Sequence, residues 1–116
     1  MASVLIVQNE PLVASELADA VTAIGHTVVG TARNRDQAIR IAANMRPDVA
    51  LVDYRLGDVE DGVAVVLRLR QIGAKVIYMT ATSGEVRLID ATAEVVPKPF
   101  GQDMLQRALK RVIRPA

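Results

Sequence analysis

The sequence has no cysteine and no tryptophan, and two tyrosines and one phenylalanine are its only aromatic residues. Without cysteine there can be no disulfide framework and no thiolate metal site, which favours a cytoplasmic protein. Because aromatic residues are so few, the core must be built from aliphatic side chains. The chain is 51% hydrophobic, and a disordered protein would be much poorer in such residues.

The sequence also lacks long hydrophobic runs and a large excess of either charge. Runs such as Val4–Val7 are far too short to cross a bilayer, and no leader peptide precedes them, so we expect no membrane association. Fourteen basic residues against thirteen acidic ones leave a net charge of +1, which argues against a nucleic-acid partner. The length predicts one domain spanning residues 1–116.

What the sequence does contain is an alternation of short apolar runs and longer stretches with helical periodicity. The runs predict five buried strands, at Val4–Val7, Thr27–Thr31, Val49–Val52, Val76–Met79 and Val95–Val96. A helix is expected after each strand, although Ser83–Ala91 can form only a short and weak one. Five alternating units predict an α/β fold, a doubly wound five-stranded parallel sheet with helices on both faces.

The functional site of such a fold lies at the carboxyl ends of the strands. Asp53 follows the third strand, where its carboxylate could act as a nucleophile toward a phosphoryl group or simply be solvated. Thr80 and Lys98 follow the fourth and fifth strands and would supply a hydroxyl donor and a cation to the phosphoryl oxygens. Pro99 could hold the last loop through a cis peptide bond.

At these residues the chain resembles the receiver domain of bacterial two-component response regulators. The resemblance rests on Val4–Val7, Asp48–Asp53, Asp61-Gly62, Thr80-Ala81 and Lys98-Pro99-Phe100. It implies a flavodoxin-like sheet of strand order 2-1-3-4-5. It also implies that Asp53 accepts a phosphoryl group from a histidine kinase or phosphotransfer protein, with Thr80 and Lys98 holding the phosphoryl oxygens. Such a domain is not an enzyme, and it signals through contacts with a downstream protein.

The sequence departs from that family directly after the first strand. Receivers usually carry two acidic residues there, the second of which ligates Mg²⁺, whereas this chain has Gln8 and Asn9. Since Mg²⁺ prefers carboxylates, a site made by Asp53, Asn9 and the backbone carbonyl of Arg55 is expected to bind it weakly. Glu10 could turn inward and compensate, or could serve only as a carboxylate at the start of a helix.

Two further positions bear on how such a receiver would work. The guanidinium of Arg55 could pair with Glu10 or Asp53 and replace the cation electrostatically, or could lie in solvent. Val95 stands where receivers usually carry an aromatic switch residue. A valine is too short to gate the Thr80 loop, so coupling would have to run through movement of the backbone or of a helix.

Three functions follow from these observations. The first is a phosphorelay receiver that acts as a monomer or weak homodimer through protein contacts. The second is a pseudo-receiver, a phosphorylation-independent binding module, which Gln8, Asn9 and Val95 favour and Asp53, Thr80 and Lys98 oppose. The third is a flavodoxin-like cofactor binder. It is disfavoured because Gln8–Pro11 provides no Ser/Thr/Gly-rich phosphate loop.

Overall fold

Strands and helices alternate along the chain, as the apolar runs predict. The computed structural model describes residues 1–56, 62–81, 83–90 and 93–113. The strands are β1 (Ser3–Val7), β2 (Thr27–Ala32), β3 (Val49–Asp53), β4 (Lys75–Thr80) and β5 (Glu94–Pro97). The helices are α1 (Pro11–Ile24), α2 (Arg35–Met45), α3 (Gly62–Ile72), α4 (Ser83–Ile89) and α5 (Gln102–Val112).

The strands form one parallel sheet in the order β2-β1-β3-β4-β5. This confirms the doubly wound, flavodoxin-like fold and its expected strand order. Strands β1 and β3 lie side by side at the centre. From β1 the chain continues to β2 on one side, and from β3 it continues to β4 and β5 on the other. A doubly wound sheet opens a crevice between two such strands, outside the carboxyl ends of the strands.

The core has two layers, one on each face of the sheet, and both are mainly aliphatic. Alternate residues of β1 and β3 point to opposite faces: Leu5 and Val52 pack on one side, and Ile6 and Leu51 on the other. Helices α2, α3 and α4 cover the first face, and α1 and α5 cover the second. Because both faces are covered, the central strands are buried throughout and read as continuous apolar runs.

Local signals at the helix ends match the sequence. Gly25 ends α1 with φ at 110°, a left-handed conformation that glycine adopts without strain. Asn34 caps α2, its Oδ1 accepting the Gln37 N–H at 2.9 Å, and Gln37 Oε1 accepts the Arg33 N–H at 2.9 Å. These reciprocal bonds satisfy backbone donors that a helix start leaves unpaired.

Helix α4 is as short as its sequence predicts, with seven residues. Asp61, part of a motif quoted above, and Ala91, the expected end of this helix, lie outside the described residues. Within the ranges given above, no helix is long and apolar enough to cross a membrane.

Candidate functional site

A cleft of about 260 Å³ opens at the carboxyl edge of the sheet. It brings together the three residues that the strand ends predict for phosphoryl chemistry, Asp53, Thr80 and Lys98. Asn9, Glu10, Arg55 and Ala81 also line it. Among the described residues, the lining is therefore polar and includes two positive and two negative side chains.

Asp53 is the last residue of β3 and is only 7% exposed. Lys98 Nζ lies 3.2 Å from its Oδ1 atom. The Arg55 N–H donates to the same oxygen at 3.3 Å. No described residue donates a hydrogen bond to Oδ2, which leaves that oxygen for attack on an electrophile.

Backbone hydrogen bonds at the strand ends fix these side chains relative to one another. The Tyr54 N–H donates to the Met79 carbonyl at 3.2 Å, which links the end of β3 to β4. Thr80 pairs with Pro97 in the sheet, and the N–H of the next residue, Lys98, donates to the Thr80 carbonyl at 2.9 Å. The peptide bond between Lys98 and Pro99 is cis, the isomer that the sequence left open.

Gly62 explains why a glycine belongs at the start of α3. A Cβ atom built on Gly62 would lie 2.6 Å from the Asp53 carbonyl oxygen, and closer still to that of Tyr54. Real Cβ atoms do not approach backbone that closely. Any larger residue would push α3 away from the backbone that carries Asp53.

In the turn between β1 and α1, the side chain of Gln8 does not face the cleft as a metal ligand would. The Gln8 N–H continues the sheet by donating to the Ala32 carbonyl at 2.8 Å, and its side chain is buried. Gln8 Oε1 accepts the Glu10 N–H at 3.2 Å, while Nε2 is buried without a hydrogen-bond partner among the described residues. Both ends of this amide are therefore withdrawn from the cleft.

The remaining donors suit Mg²⁺ poorly. Asp53 contributes one buried carboxylate, but its Oδ1 is already occupied by Lys98. Asn9 offers a neutral amide oxygen, and Glu10 is exposed at the rim. Among the described residues, no group of three or more Asp, Glu, His or Cys side chains lies close enough to hold a metal ion. A hard divalent cation favours more charged oxygen than this.

The ion pair that Arg55 forms is not one of the two that the sequence suggests. Its Nη2 atom lies 3.2 Å from Glu85 Oε1, so the ion pair is with α4 rather than with Glu10 or Asp53. The sequence could not supply this partner, because Glu85 is thirty residues away. Helix α4 presents it to the loop after β3 only once the sheet has formed.

Tyr54 lies beneath this ion pair and shares its acceptor. Its ring is fully buried, and its hydroxyl donates to Glu85 Oε1 at 3.3 Å. The Arg55 guanidinium carbon lies 5.7 Å from the centre of the Tyr54 ring, a distance at which cation–π attraction operates. Arg55, Tyr54 and Glu85 thus join the neighbourhood of Asp53 to α4.

Val95 occupies the switch position inside the core. It pairs with Tyr78 across β4 and β5 and is 6% exposed. Burial raises the pKa of the Tyr78 hydroxyl above its usual 10.0, an effect that nearby Arg70 opposes and Asp90 reinforces. Tyr78 and Tyr54 meet edge to face with 6.3 Å between ring centres, so the aromatic residues here lie on β4 and just after β3.

Comparison with known proteins agrees with this geometry. A family model described as the response regulator receiver domain matches residues 4–110. The chain belongs to this family. Receiver domains are signalling modules of two-component systems, generally without enzymatic activity, that interact with kinases and with downstream proteins.

Two curated relatives and one solved structure show how close the similarity is. The phyllosphere-induced regulator PhyR of Methylorubrum extorquens is 40% identical over 80 residues, which cover 67% of this receiver and 30% of PhyR. The transcriptional regulatory protein KdpE of Mycobacterium tuberculosis is 35% identical, covering 98% of this receiver and 52% of KdpE. The crystal structure of anti-anti-sigma factor PhyR from Bartonella quintana superposes with a TM-score of 0.88 at 30% identity, covering 97% of this receiver and 47% of that chain. This receiver therefore spans about half or less of each of these three proteins.

Proposed function

We propose that this receiver accepts a phosphoryl group on Asp53 and signals through a protein partner, with only weak dependence on Mg²⁺. The observation that carries the proposal is the state of the Asp53 carboxylate. Lys98 holds Oδ1 at 3.2 Å, whereas Oδ2 accepts no hydrogen bond from the described residues. One oxygen is thereby oriented and the other is available as a nucleophile.

The donor would be the phosphohistidine of a histidine kinase or of a phosphotransfer protein. As the bond between Asp53 Oδ2 and phosphorus forms, the bond between phosphorus and the histidine nitrogen breaks. The electron pair of that bond returns to the imidazole. Lys98 and the Thr80 hydroxyl lie in the same cleft and stabilise the charge on the equatorial oxygens. The domain assists its own modification but consumes one donor per event, so it is an acceptor rather than an enzyme.

Mg²⁺ would supply further neutralisation of phosphoryl charge when bound. The residues that would hold it are Asp53, Asn9 and the backbone carbonyl of Arg55, with Glu10 at the rim. Because Gln8 is withdrawn and Asn9 is neutral, we infer that this binding is weak and that transfer depends on Lys98 more than on the cation.

The downstream partner is inferred to be a protein. One structural relative is named an anti-anti-sigma factor, and that name describes action on other proteins. The near-neutral charge of this receiver gives no reason to propose nucleic acid. Its location in the cytoplasm and its state as a monomer or weak homodimer stay predictions.

Small phosphodonors test the acceptor directly. Acetyl phosphate or phosphoramidate should add one phosphoryl group to the wild-type chain, measured by intact mass. Asp53→Asn should abolish the addition, whereas Asp19→Asn, at an exposed position on α1, should leave it unchanged. A wild-type chain that takes no label, or a label that survives in Asp53→Asn, would contradict the proposal.

A pseudo-receiver is the second candidate, favoured by the neutral residues Gln8 and Asn9 and by Val95 at the switch position. It would use the same fold as a binding module that ignores phosphorylation. The two candidates separate when a partner-binding affinity is measured before and after labelling. A receiver changes its affinity on labelling, and a pseudo-receiver either takes no label or binds equally well in both states.

A further inference from the structure

The segment after the phosphoacceptor holds a cation in an exposed and exchangeable pair. Arg55 binds Glu85 at 3.2 Å, and the two side chains are 54% and 40% exposed. Exposed ion pairs of this kind contribute little to stability and are easily exchanged. The same Glu85 oxygen accepts the Tyr54 hydroxyl at 3.3 Å, so it would keep one hydrogen bond if Arg55 left.

Arg55 also belongs to the phosphoacceptor cleft. Its own N–H donates to Asp53 Oδ1 at 3.3 Å, and the residue lines the cleft together with Lys98. Its guanidinium is always charged and sits on a long, flexible side chain. Such a side chain could leave Glu85 for a group on Asp53 by changing its rotamer.

The charge balance of the cleft favours such a move after phosphorylation. Before modification, Lys98 pairs with Asp53 and Arg55 pairs with Glu85, so each of the two cations among the described lining residues has one carboxylate partner. A phosphoryl group adds negative charge and new acceptor oxygens. Lys98 alone cannot offset it, and the acidic residues that would hold a divalent cation are replaced by Gln8 and Asn9. Guanidinium binds phosphate with two parallel hydrogen bonds, which a single carboxylate oxygen in an exposed pair does not match.

We propose that Arg55 is an exchangeable cation, bound to Glu85 while Asp53 is unmodified and transferred to the phosphoryl group once Asp53 is phosphorylated. The proposal rests on the function proposed above. Arg55 then serves as a positioning residue for the phosphorylated state, and its departure from Glu85 reports that state to α4.

The contacts of α4 are distributed so that breaking the Arg55–Glu85 pair would affect only its first turn. Val86 buries its side chain in the core and anchors the helix. Asp90, which follows α4, binds Arg70 of α3 at 2.7 Å. Glu85 lies in the first turn of the helix, and its pair with Arg55 links that end to the phosphoacceptor loop. Val95 provides no aromatic side chain for the link, so α4 would receive the signal through Glu85.

The first test follows the Arg55 side chain itself. In a ¹⁵N spectrum of the full chain, the Arg55 Nε–Hε signal, assigned by its loss in Arg55→Gln, should shift when acetyl phosphate labels Asp53. In Glu85→Gln the signal should already be displaced before labelling, because the charged partner is gone. Glu94→Gln is the matched control. It breaks the exposed Arg111–Glu94 pair, in which Nε and Oε1 lie 2.7 Å apart, and should leave the Arg55 signal unchanged.

The second test follows α4 by amide hydrogen exchange. Labelling should raise exchange near Glu85 roughly two- to fivefold, the change expected from the loss of one exposed ion pair. Arg55→Gln should abolish this response to labelling, and Arg55→Lys should restore part of it, since lysine keeps the charge but not the bidentate geometry.

The results separate this proposal from the one on which it rests. If the wild-type chain takes no label, both proposals are wrong. If it is labelled while the Arg55 signal and the exchange of α4 stay as they were, the phosphoacceptor function holds and the exchange of Arg55 is refuted. A response of α4 that persists in Arg55→Gln would likewise refute it.

Discussion

The two sides of the cleft are built from the same fold but carry opposite chemical character. On one side, the ends of β3, β4 and β5 place Asp53, Thr80 and Lys98 in contact with the cleft. On the other, the turn after β1 presents an amide at Asn9 and withdraws that of Gln8 into the protein. The first side carries the groups that we propose for phosphoryl transfer, and the second lacks the acidic charge that would hold a cation.

If the proposed function is right, this difference means that one receiver can keep its phosphoryl site while its cation site is weak. Gln8 keeps its backbone bond to Ala32 and remains buried, so the removal of acidic charge leaves the sheet intact. Lys98 touches Asp53 directly and needs no metal ion to orient it. In the proposed mechanism, charge on the phosphoryl group is met by Lys98, by Thr80 and by Arg55.

The largest effect is expected when the cation is removed from the side of the cleft formed by the ends of β3, β4 and β5. Lys98→Met should slow labelling of Asp53 by about 10²- to 10³-fold, the usual effect of deleting one oriented donor to a transition-state oxyanion. The rate is measured by stopping the reaction with acetyl phosphate at successive times and determining the labelled fraction from the intact mass. Lys75→Met, at an exposed lysine on the opposite edge of the sheet, is the control and should label like the wild type. Equal rates for both variants would show that Lys98 is dispensable.

A second change tests whether the position of Asp53 depends on the close packing of α3 against the end of β3. Gly62→Ala should lower the free energy of unfolding by about 1–3 kcal/mol, because the new Cβ overlaps the carbonyls of Asp53 and Tyr54. It should also slow labelling by displacing the Asp53 backbone. Gly84→Ala, where a Cβ meets nothing within 4 Å, should not lower the free energy of unfolding and should raise it slightly because alanine favours a helix. It should leave the rate of labelling unchanged. Urea unfolding measures the free energy of unfolding of the two variants. Similar losses of stability in Gly62→Ala and Gly84→Ala would contradict the packing argument.

A third change restores the missing charge and sharpens the comparison. In Gln8→Asp/Asn9→Asp, two carboxylates return to the turn after β1, and the affinity for Mg²⁺ should rise about tenfold or more. Isothermal titration with MgCl₂ measures it. Asn44→Asp, on the exposed surface of α2, adds charge away from the cleft and should not raise the affinity. If the wild type and the double variant bind Mg²⁺ equally, the β1 side is not what limits binding.

Much of the fold and part of the site could be predicted from the sequence. Buried parallel strands give short apolar runs, and the residue after such a run must lie at the sheet edge, so the pattern predicts Asp53 and Thr80 at that edge. The strand order came from the resemblance to receivers, because periodicity does not determine which strands are neighbours. Lys98 was identified by its position after the fifth strand together with that resemblance.

The parts that escaped prediction depend on tertiary contacts. The pair between Arg55 and Glu85 requires α4 to lie beside the loop after β3, which no local pattern specifies. The second role of Tyr54, as a hydroxyl donor to Glu85, follows from the same placement. The withdrawal of Gln8 depends on its bond to the Glu10 N–H, a detail of the turn that its composition does not reveal.

The central claim is that Asp53 is phosphorylated with little need for Mg²⁺. The measurement that tests it most directly is the rate of labelling by acetyl phosphate across a titration of Mg²⁺, beginning in chelator, for the wild type and for Asp53→Ala. We expect the wild-type chain to be labelled in chelator and its rate to rise only modestly, by about tenfold or less, as Mg²⁺ reaches millimolar concentrations. Asp53→Ala should take no label at any concentration. Rapid labelling of the wild type that disappears in chelator would contradict the account.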